Sequence, residues 1–241
     1  MPTVGSVVEL RRYPVKSLAG ETLSAADVDQ RGLKGDRRWA VSDTDGKLGS
    51  GKSTRRFRRM DGLLQLTASL EGDHAPTIGF PDGRRLSGED PAVHAALSGH
   101  VGRPVRLISE GTVSHFDEGP LHLLTTASLA ALADHHGAAV TTARLRANLV
   151  IDTGDRGGFV EDGWIGVTLA IGADLVISIR GPMRRCVMVE LPQRELPPVS
   201  GLLDAIGRHN ETCLGVVADV IRPGSVHLDD PVEASGGPFS H

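Results

Sequence analysis

A mainly β fold with a few helices is what this 241-residue sequence predicts, on three observations. Short runs rich in β-branched residues recur along the chain, each closed by Gly, Pro or Asp-Gly turn chemistry. Only three stretches carry helical periodicity. Strands and helices do not alternate regularly, which argues for β-barrel architecture with helical decoration over a parallel βαβ sheet.

In chain order, the expected strands are GSVVELRRYPV (5–15), RRWAVSD (37–43), LLQLTASL (63–70), TIGFPDG (77–83) and RPVRLIS (103–109). They continue with ANLVID (147–152), DLVISIRGP (174–182), CVMVEL (186–191), LGVVADVIRP (214–223) and VHLDDPV (226–232). TDG at 44–46 and PDG at 81–83 supply tight-turn chemistry. PAVHAALSGHVG (91–102) reads as a short helix. TTASLAALADHHG (125–137) sets Leu129, Leu132 and Ala133 on one face, with Gly137 where a left-handed C-terminal residue belongs. SGLLDAIGRHN (200–210) begins at a candidate Ser200 cap and buries Leu202, Leu203 and Ile206. The polar stretch ISEGTVSHFDEGP (108–120) is the natural place for a domain boundary.

Composition narrows the class. Hydrophobic content of 39% and charged content of 23% are those of a soluble globular protein. No apolar run approaches the roughly 20 residues that span a bilayer. MPTVGSVVELRRYP lacks a basic-then-apolar leader, so the cytoplasm is the expected compartment. A net charge of −4 gives no bias toward nucleic acid. Two cysteines, Cys186 and Cys213, exclude a disulfide framework, a four-cysteine zinc site and a built-in iron–sulfur cluster. Of 26 cationic residues only four are lysine, and the arginines cluster at 55, 56, 58 and 59 and at 184 and 185.

GKLGSGKS (46–53) fits G-x-x-x-x-G-K-[ST], and LVID (149–152) could pose as its magnesium-binding strand. A phosphate loop needs a buried strand before it and a helix N-terminus after it. Here the preceding segment alternates like a half-exposed strand, and TRRFRRMDG follows with no helical apolar stripe. The motif is expected to be a basic hairpin tip. His135 and His136 point about 100° apart on a helix and do not share a ligand; both are expected to face solvent. His122 is expected to be half-buried in a strand.

The chemical candidate is GPMRRCVMVELPQ (181–193). Arg184 and Arg185 favour the thiolate of Cys186, which is a soft metal ligand and a nucleophile. Read alone, the same cysteine also fits a small buried apolar side chain. Cys213 has only that last reading.

Read together, several segments resemble the MOSC family, the molybdenum-cofactor sulfurase C-terminal domain proteins, in members that carry its N-terminal β-barrel domain, such as the amidoxime-reducing components and their bacterial relatives. RRYPVKSLAGE (11–21) resembles the opening Y-P-[VI]-K-S-x-x-G, and RGLKGDRRWAV (31–41) resembles G-x-x-x-D-R-x-W. GPLHLLTTASLAAL (119–132), ARLRANLVID (143–152), FVEDGWIG (159–166), RRC (184–186) and LGVVADVIRPGSVHLDDPV (214–232) follow in the family's order. The resemblance implies a smaller N-terminal β-rich domain over 1–110 and a MOSC-type β-barrel over 111–241. It implies a molybdenum cofactor whose metal is held by Cys186. Lys16, Ser17, Arg37, Arg146 and Asn148 would hold the pterin and its phosphate, with Arg184 beside them. Asp117, Glu118 and Gly119 would pass close to the metal, and Arg185 would steady the anionic centre. Glu161, Asp162 and Trp164 are expected to form a structural corner in which Trp164 packs and the acids cap backbone N–H groups. Two stretches depart from the amidoxime reducers: Val-Glu-Leu-Pro-Gln at 189–193 and Glu118-Gly119, both where substrate would be met.

The function implied is an oxidoreductase acting on N-hydroxylated small molecules. A separate electron-donor protein, a ferredoxin or flavoprotein, is implied because the four cysteines of a ferredoxin-like domain are absent. The alternative is a carrier of molybdenum cofactor or sulfur with a persulfide on Cys186. A third reading leaves Cys186 structural.

Overall fold

The computed structural model describes residues 1–72 and 74–235. From the N-terminus the strands are β1 (Thr3–Arg12), β2 (Glu21–Leu23), β3 (Ala25–Asp29), β4 (Gly32–Leu33), β5 (Trp39–Asp43), β6 (Leu48–Ser50) and β7 (Phe57–Arg59). Next come β8 (Thr67–Ser69), β9 (Thr77–Gly79), β10 (Arg85–Ser87), helix α1 (Ala92–Val101) and β11 (Val105–Ser109). The remainder is β12 (Leu121–Thr125), α2 (Thr126–His136), α3 (Thr142–Leu145), β13 (Leu149–Asp152), β14 (Thr168–Ile171), β15 (Leu175–Arg184), α4 (Leu202–Asn210), β16 (Cys213–Arg222), β17 (Gly224–His227) and β18 (Pro231–Ser235).

One sheet runs β13-β12-β16-β15-β14-β18-β1, and β1 pairs back onto β13, so seven strands close into a barrel. Closure removes the free edges of the sheet. The strand that completes the barrel is the first in the chain: Leu10 lies opposite Leu149 and Val7 opposite Ile151. In β1, Val4, Val7 and Leu10 turn inward to meet Leu121, Leu123, Leu169, Ile177 and Val216, three residues apart because the register shifts between Thr3 and Gly5 and again between Val7 and Glu9. Each such side chain contributes about 1.5–3 kcal/mol on burial. β12 is buried along its whole length because its other face lies under a cover built from α2 and α4, where Leu124 packs with Leu132, Leu202 and Ile206.

Residues 15–110 build a second core around Val15, Leu18, Leu63, Leu66, Ile78 and Leu97. A four-stranded sheet β11-β5-β6-β7 and a three-stranded sheet β10-β9-β8 enclose it. The turns at 44–46 and 81–83 form as their chemistry requires, with Gly46 and Gly83 at φ 74° and 89°.

Several local expectations are corrected. CVMVEL is not a strand: Val187–Val189 is a 3₁₀ turn. The carbonyls of Val189 and Leu191 accept from Arg144 Nη1 (3.1 and 2.9 Å), and that of Met188 accepts from Gln193 Nε2 (3.0 Å), so side chains replace a strand partner. Leu63–Gln65 is likewise a 3₁₀ turn, leaving only Thr67–Ser69 as strand. The 51–56 loop is not a hairpin tip, because β6 and β7 run parallel. Ser200 does not cap α4: Gly201 is the capping residue, and the Leu203 N–H donates to the Glu190 carboxylate at 2.9 Å. His122 is fully buried, not half-buried. His135 is exposed but stacks on His209, ring centroids 3.6 Å apart, and the ring of half-buried His136 bonds the Ser200 carbonyl.

Candidate functional site

Where β1 leaves the barrel for the second core, the chain makes a tight turn that carries Lys16 and Ser17. The Lys16 N–H donates to the Trp39 carbonyl at 2.8 Å, and Ser17 Oγ donates to the Gly49 carbonyl at 3.0 Å. Arg37, from the segment before β5, donates its N–H to Tyr13 O at 2.7 Å. Arg146 ends α3, and its Nη1 donates to the Leu18 carbonyl at 2.8 Å. Ser17, Arg37 and Arg146 share one feature: φ values of 65°, 50° and 59°. A non-glycine residue in the left-handed region costs about 1 kcal/mol or more and clusters at functional sites. Three of them meet here.

Tyr13 is the floor that organises these cations. The Arg146 guanidinium lies 4.3 Å from its ring centroid and that of Arg37 4.8 Å. Arg37 also pairs with the fully buried Asp36, and its Nη2 donates to the Arg146 carbonyl at 3.2 Å. The Asn148 amide bonds inside the protein: Nδ2 donates to Arg11 O at 3.2 Å, while Oδ1 accepts from the His122 N–H at 3.2 Å and from Arg37 Nη1 at 3.4 Å.

The opposite wall comes from the end of β15. Arg184 is exposed, Cys186 is half-buried, and Arg185 reaches inward to donate from Nη2 to the Leu145 carbonyl at 2.6 Å. The mouth is the 115–119 segment. Asp117, with 35% of its side chain exposed, binds the buried Lys16 ammonium. The Glu118 carbonyl accepts from Arg180, and Gly119 is packed so closely that an added Cβ would fall 2.3 Å from Arg180 Nη2 and 2.4 Å from Val217 Cγ1.

All eleven residues expected at the site line one open cleft. Seven cationic side chains face it against two carboxylates, Asp117 and Glu118. Burial holds Arg146 and Arg185 down to about 10, opposed by Tyr13 for the first and by Cys186 for the second, and both stay charged at neutral pH. Burial lowers Lys16 to about 8 against the pull of Asp117. Asp117 itself, though desolvation acts to raise it, is held below its usual value by Lys16. Among the described residues, two buried guanidinium donors in the cleft have no hydrogen-bond partner: Arg146 Nη2 and Arg185 Nε. Unmet guanidinium N–H groups among excess positive charge describe a seat for an anion. The half-buried thiol of Cys186 adds one soft donor. Among the described residues no three His, Cys, Asp or Glu side chains gather as a metal cage.

Sequence reasoning missed Tyr13, Lys52, His122, Arg144, Met183 and Met188 as parts of this site. Tyr13 stood inside the quoted opening RRYPVKS, and Lys52 inside the rejected phosphate-loop motif. Arg144 carried no signal, because its role is to bind carbonyls 45 to 53 residues away. Glu161 and Asp162 do form a corner with the buried Trp164, but not by capping backbone. Glu161 accepts from Thr125 Oγ1 and Ser128 Oγ at 2.5 and 2.6 Å, and Asp162 from Asn210 Nδ2 at 2.7 Å. Cys213 is buried, as its bland reading required.

Comparison with curated proteins gives no match. Among solved structures, the chain is similar to the YuaD protein from Bacillus subtilis at a TM-score of 0.55 and 15% identity, covering 95% of this chain and 94% of that one. YiiM from Escherichia coli aligns at a TM-score of 0.44 and 12% identity over 98% of this chain and 70% of that one. YiiM from Geobacillus stearothermophilus aligns at 0.38 and 15% identity over 48% and 54%. At these identities the YuaD likeness speaks for the fold. The family descriptions cover nearly the whole chain: the MOSC N-terminal beta barrel domain matches residues 4–89 and the MOSC domain residues 90–233. The chain therefore belongs to the MOSC domain family, with the family's N-terminal β-barrel domain preceding the MOSC domain.

Proposed function

We propose that this cleft holds a phosphorylated pterin bearing molybdenum, and that the protein is an oxidoreductase that reduces N-hydroxylated small molecules. One observation carries the reading: a half-buried thiol and two unpartnered buried guanidinium donors, Arg146 Nη2 and Arg185 Nε, face the same cation-lined cleft. The residues fit the group. Lys16, Ser17, Arg37 and Arg146 would take the pterin and its phosphate, Cys186 would take the metal, and Arg184 and Arg185 would offset its negative charge. Asn148 fixes Arg37 and the His122 backbone, and its second Nδ2 hydrogen would remain for the pterin. When bound, the cofactor supplies a two-electron couple and an acceptor for the substrate oxygen.

The chain's own part is electrostatic and positional. Asp117, ionised at neutral pH and steadied by Lys16, offers an acceptor for substrate N–H groups at the mouth. Lys16, near 8, is a proton donor within hydrogen-bond reach of Asp117. Cleavage of one N–O bond consumes two electrons and two protons and releases water, so each turnover needs reduction by a separate protein of ferredoxin or flavoprotein type. A sulfur carrier with a persulfide on Cys186 uses the same thiol but leaves the two buried donors without an occupant, whereas a cofactor carrier would fill them and differ from the reductase only in turnover.

The test is anaerobic turnover of benzamidoxime by cofactor-loaded protein with reduced viologen as electron source. Formation of benzamidine by the native chain and its loss in Cys186→Ala are expected. No benzamidine from molybdenum-loaded protein would overturn the reductase reading and leave the carrier.

A further inference from the structure

The proposed cofactor accounts for the inward cations but not for the loop at 51–56. Lys52 lines the cleft from this loop, and among the described residues its ammonium makes no ion pair and no hydrogen bond. It lies 5.8 Å from the Phe57 ring centroid, and its charge also acts on Asp117. Arg55 and Arg56 beside it are exposed, and neither meets a carboxylate; Arg56 donates to the Ser114 carbonyl at 2.6 Å. Their neighbours are neutralised: Arg58 binds Asp43 and Asp45, and Arg59 binds Asp61. Asp117 already holds Lys16. Among the described residues, Lys52, Arg55 and Arg56 thus form no ion pair at the rim, and Lys52 feels Asp117 only through space.

The loop is also braced against the turn that carries Cys186. Ser50 Oγ lies 3.5 Å from Met188 Sδ, and a Cβ on Gly51 would fall 2.6 Å from Leu191 Cδ1 and 3.0 Å from Met188 Cγ. Thr54 N–H donates to the Phe57 carbonyl at 2.9 Å, and Phe57 N–H donates back to Thr54 Oγ1 at 3.1 Å. A lysine on a braced loop lining the same cleft as Cys186 is a preorganised charge, not a loose surface residue.

We propose that Lys52 is a specificity-determining residue and that the substrate carries an anionic group, carboxylate or phosphate, apart from its N–O bond. This rests on the reading above for the N–O chemistry, while the anion preference rests on the rim alone. Substrate enters with its anionic group toward Lys52 and the N–O group inward.

The experiment is titration calorimetry on the purified full chain with benzamidoxime and 4-carboxybenzamidoxime, in native protein, Lys52→Ala, Lys52→Glu and Lys52→Arg. The carboxylate is expected to bind about tenfold more tightly in native protein. That preference disappears in Lys52→Ala, reverses in Lys52→Glu, returns in Lys52→Arg and shrinks in 0.5 M salt, roughly three times the concentration that gives an 8 Å screening length. Equal affinities in native protein, no binding of either compound, or a preference that survives Lys52→Glu overturns the proposal. A Lys52→Glu defect seen only in turnover with a protein electron donor, with both affinities unmoved, assigns the loop to donor docking and overturns it too. Absence of benzamidine formation at intact binding preference defeats the reductase reading alone.

Discussion

Lys16 and Asp117 form an ion pair across 101 residues of sequence, joining the turn that leaves the barrel to the segment that re-enters it. The lysine is buried, the carboxylate is a third exposed, and the pair closes one side of the cleft.

Burial sets the pH range over which this lysine attracts an anion. Folded, it titrates near 8 instead of 10.5. The unfolded chain holds that proton up to about 10.5, so between the two values the empty folded protein gains stability as pH rises. Anion binding runs the other way, because the charge that attracts phosphate is lost through the same window. Cofactor release during dialysis is expected to be slow at pH 7 and to accelerate above pH 8, and Lys16→Arg is expected to flatten that profile.

Glu161 gives the opposite sign. It is fully buried, its Oε1 has no partner, and desolvation raises its pKa against the two hydroxyls that it accepts from. A carboxyl raised on folding stabilises the fold below its unfolded value and loses that contribution as pH rises through the folded one. Glu161→Gln is expected to match native stability near pH 4.5 and to exceed it as pH rises above that value. Thermal melting across that range checks the sign.

Arg144 acts on Cys186 without facing it. Its guanidinium donates to the carbonyls of Val189, Leu191 and Pro197 at 3.1, 2.9 and 2.6 Å, holding the segment that follows the thiol. Lysine cannot reproduce a planar fork. Arg144→Lys is expected to cost about 1–3 kcal/mol by denaturant titration, by leaving buried carbonyls unmet. It is also expected to lower cofactor retention.

Gly215 sits in β16 at φ 78°, where a Cβ would fall 2.4 Å from the Leu123 carbonyl oxygen and 2.6 Å from His122 Nε2. Strain and collision add. Gly215→Ala is expected to cost about 2–4 kcal/mol and to lower the melting temperature by roughly 5–10 °C.

Much of this was legible in the sequence, and the reasons are local. Leu175, Ile177 and Ile179 alternate inward because strand periodicity is two, and the 81–83 turn follows from Pro-Asp-Gly chemistry. The site was legible wherever a cation or thiol stood in a recognisable run, as with Lys16, Arg37 and Cys186. What escaped depends on distant partners. CVMVEL has strand composition, yet Arg144 and Gln193 take its carbonyls and bend it into a 3₁₀ turn. Tyr13 reads as an ordinary strand aromatic until two arginines stack on it from residues 37 and 146. Asn148 lines the cleft as expected, but its bonds to Arg11, Arg37 and His122 come from residues 26 to 137 positions away and carry no local signal.

Elemental analysis of protein expressed with cofactor supply tests the central claim most directly. Native chain and Cys213→Ala are expected to carry about one molybdenum per chain, and Cys186→Ala about a tenth of that or less. Molybdenum absent from every preparation, or retained equally by Cys186→Ala, would contradict a cleft built around that thiol.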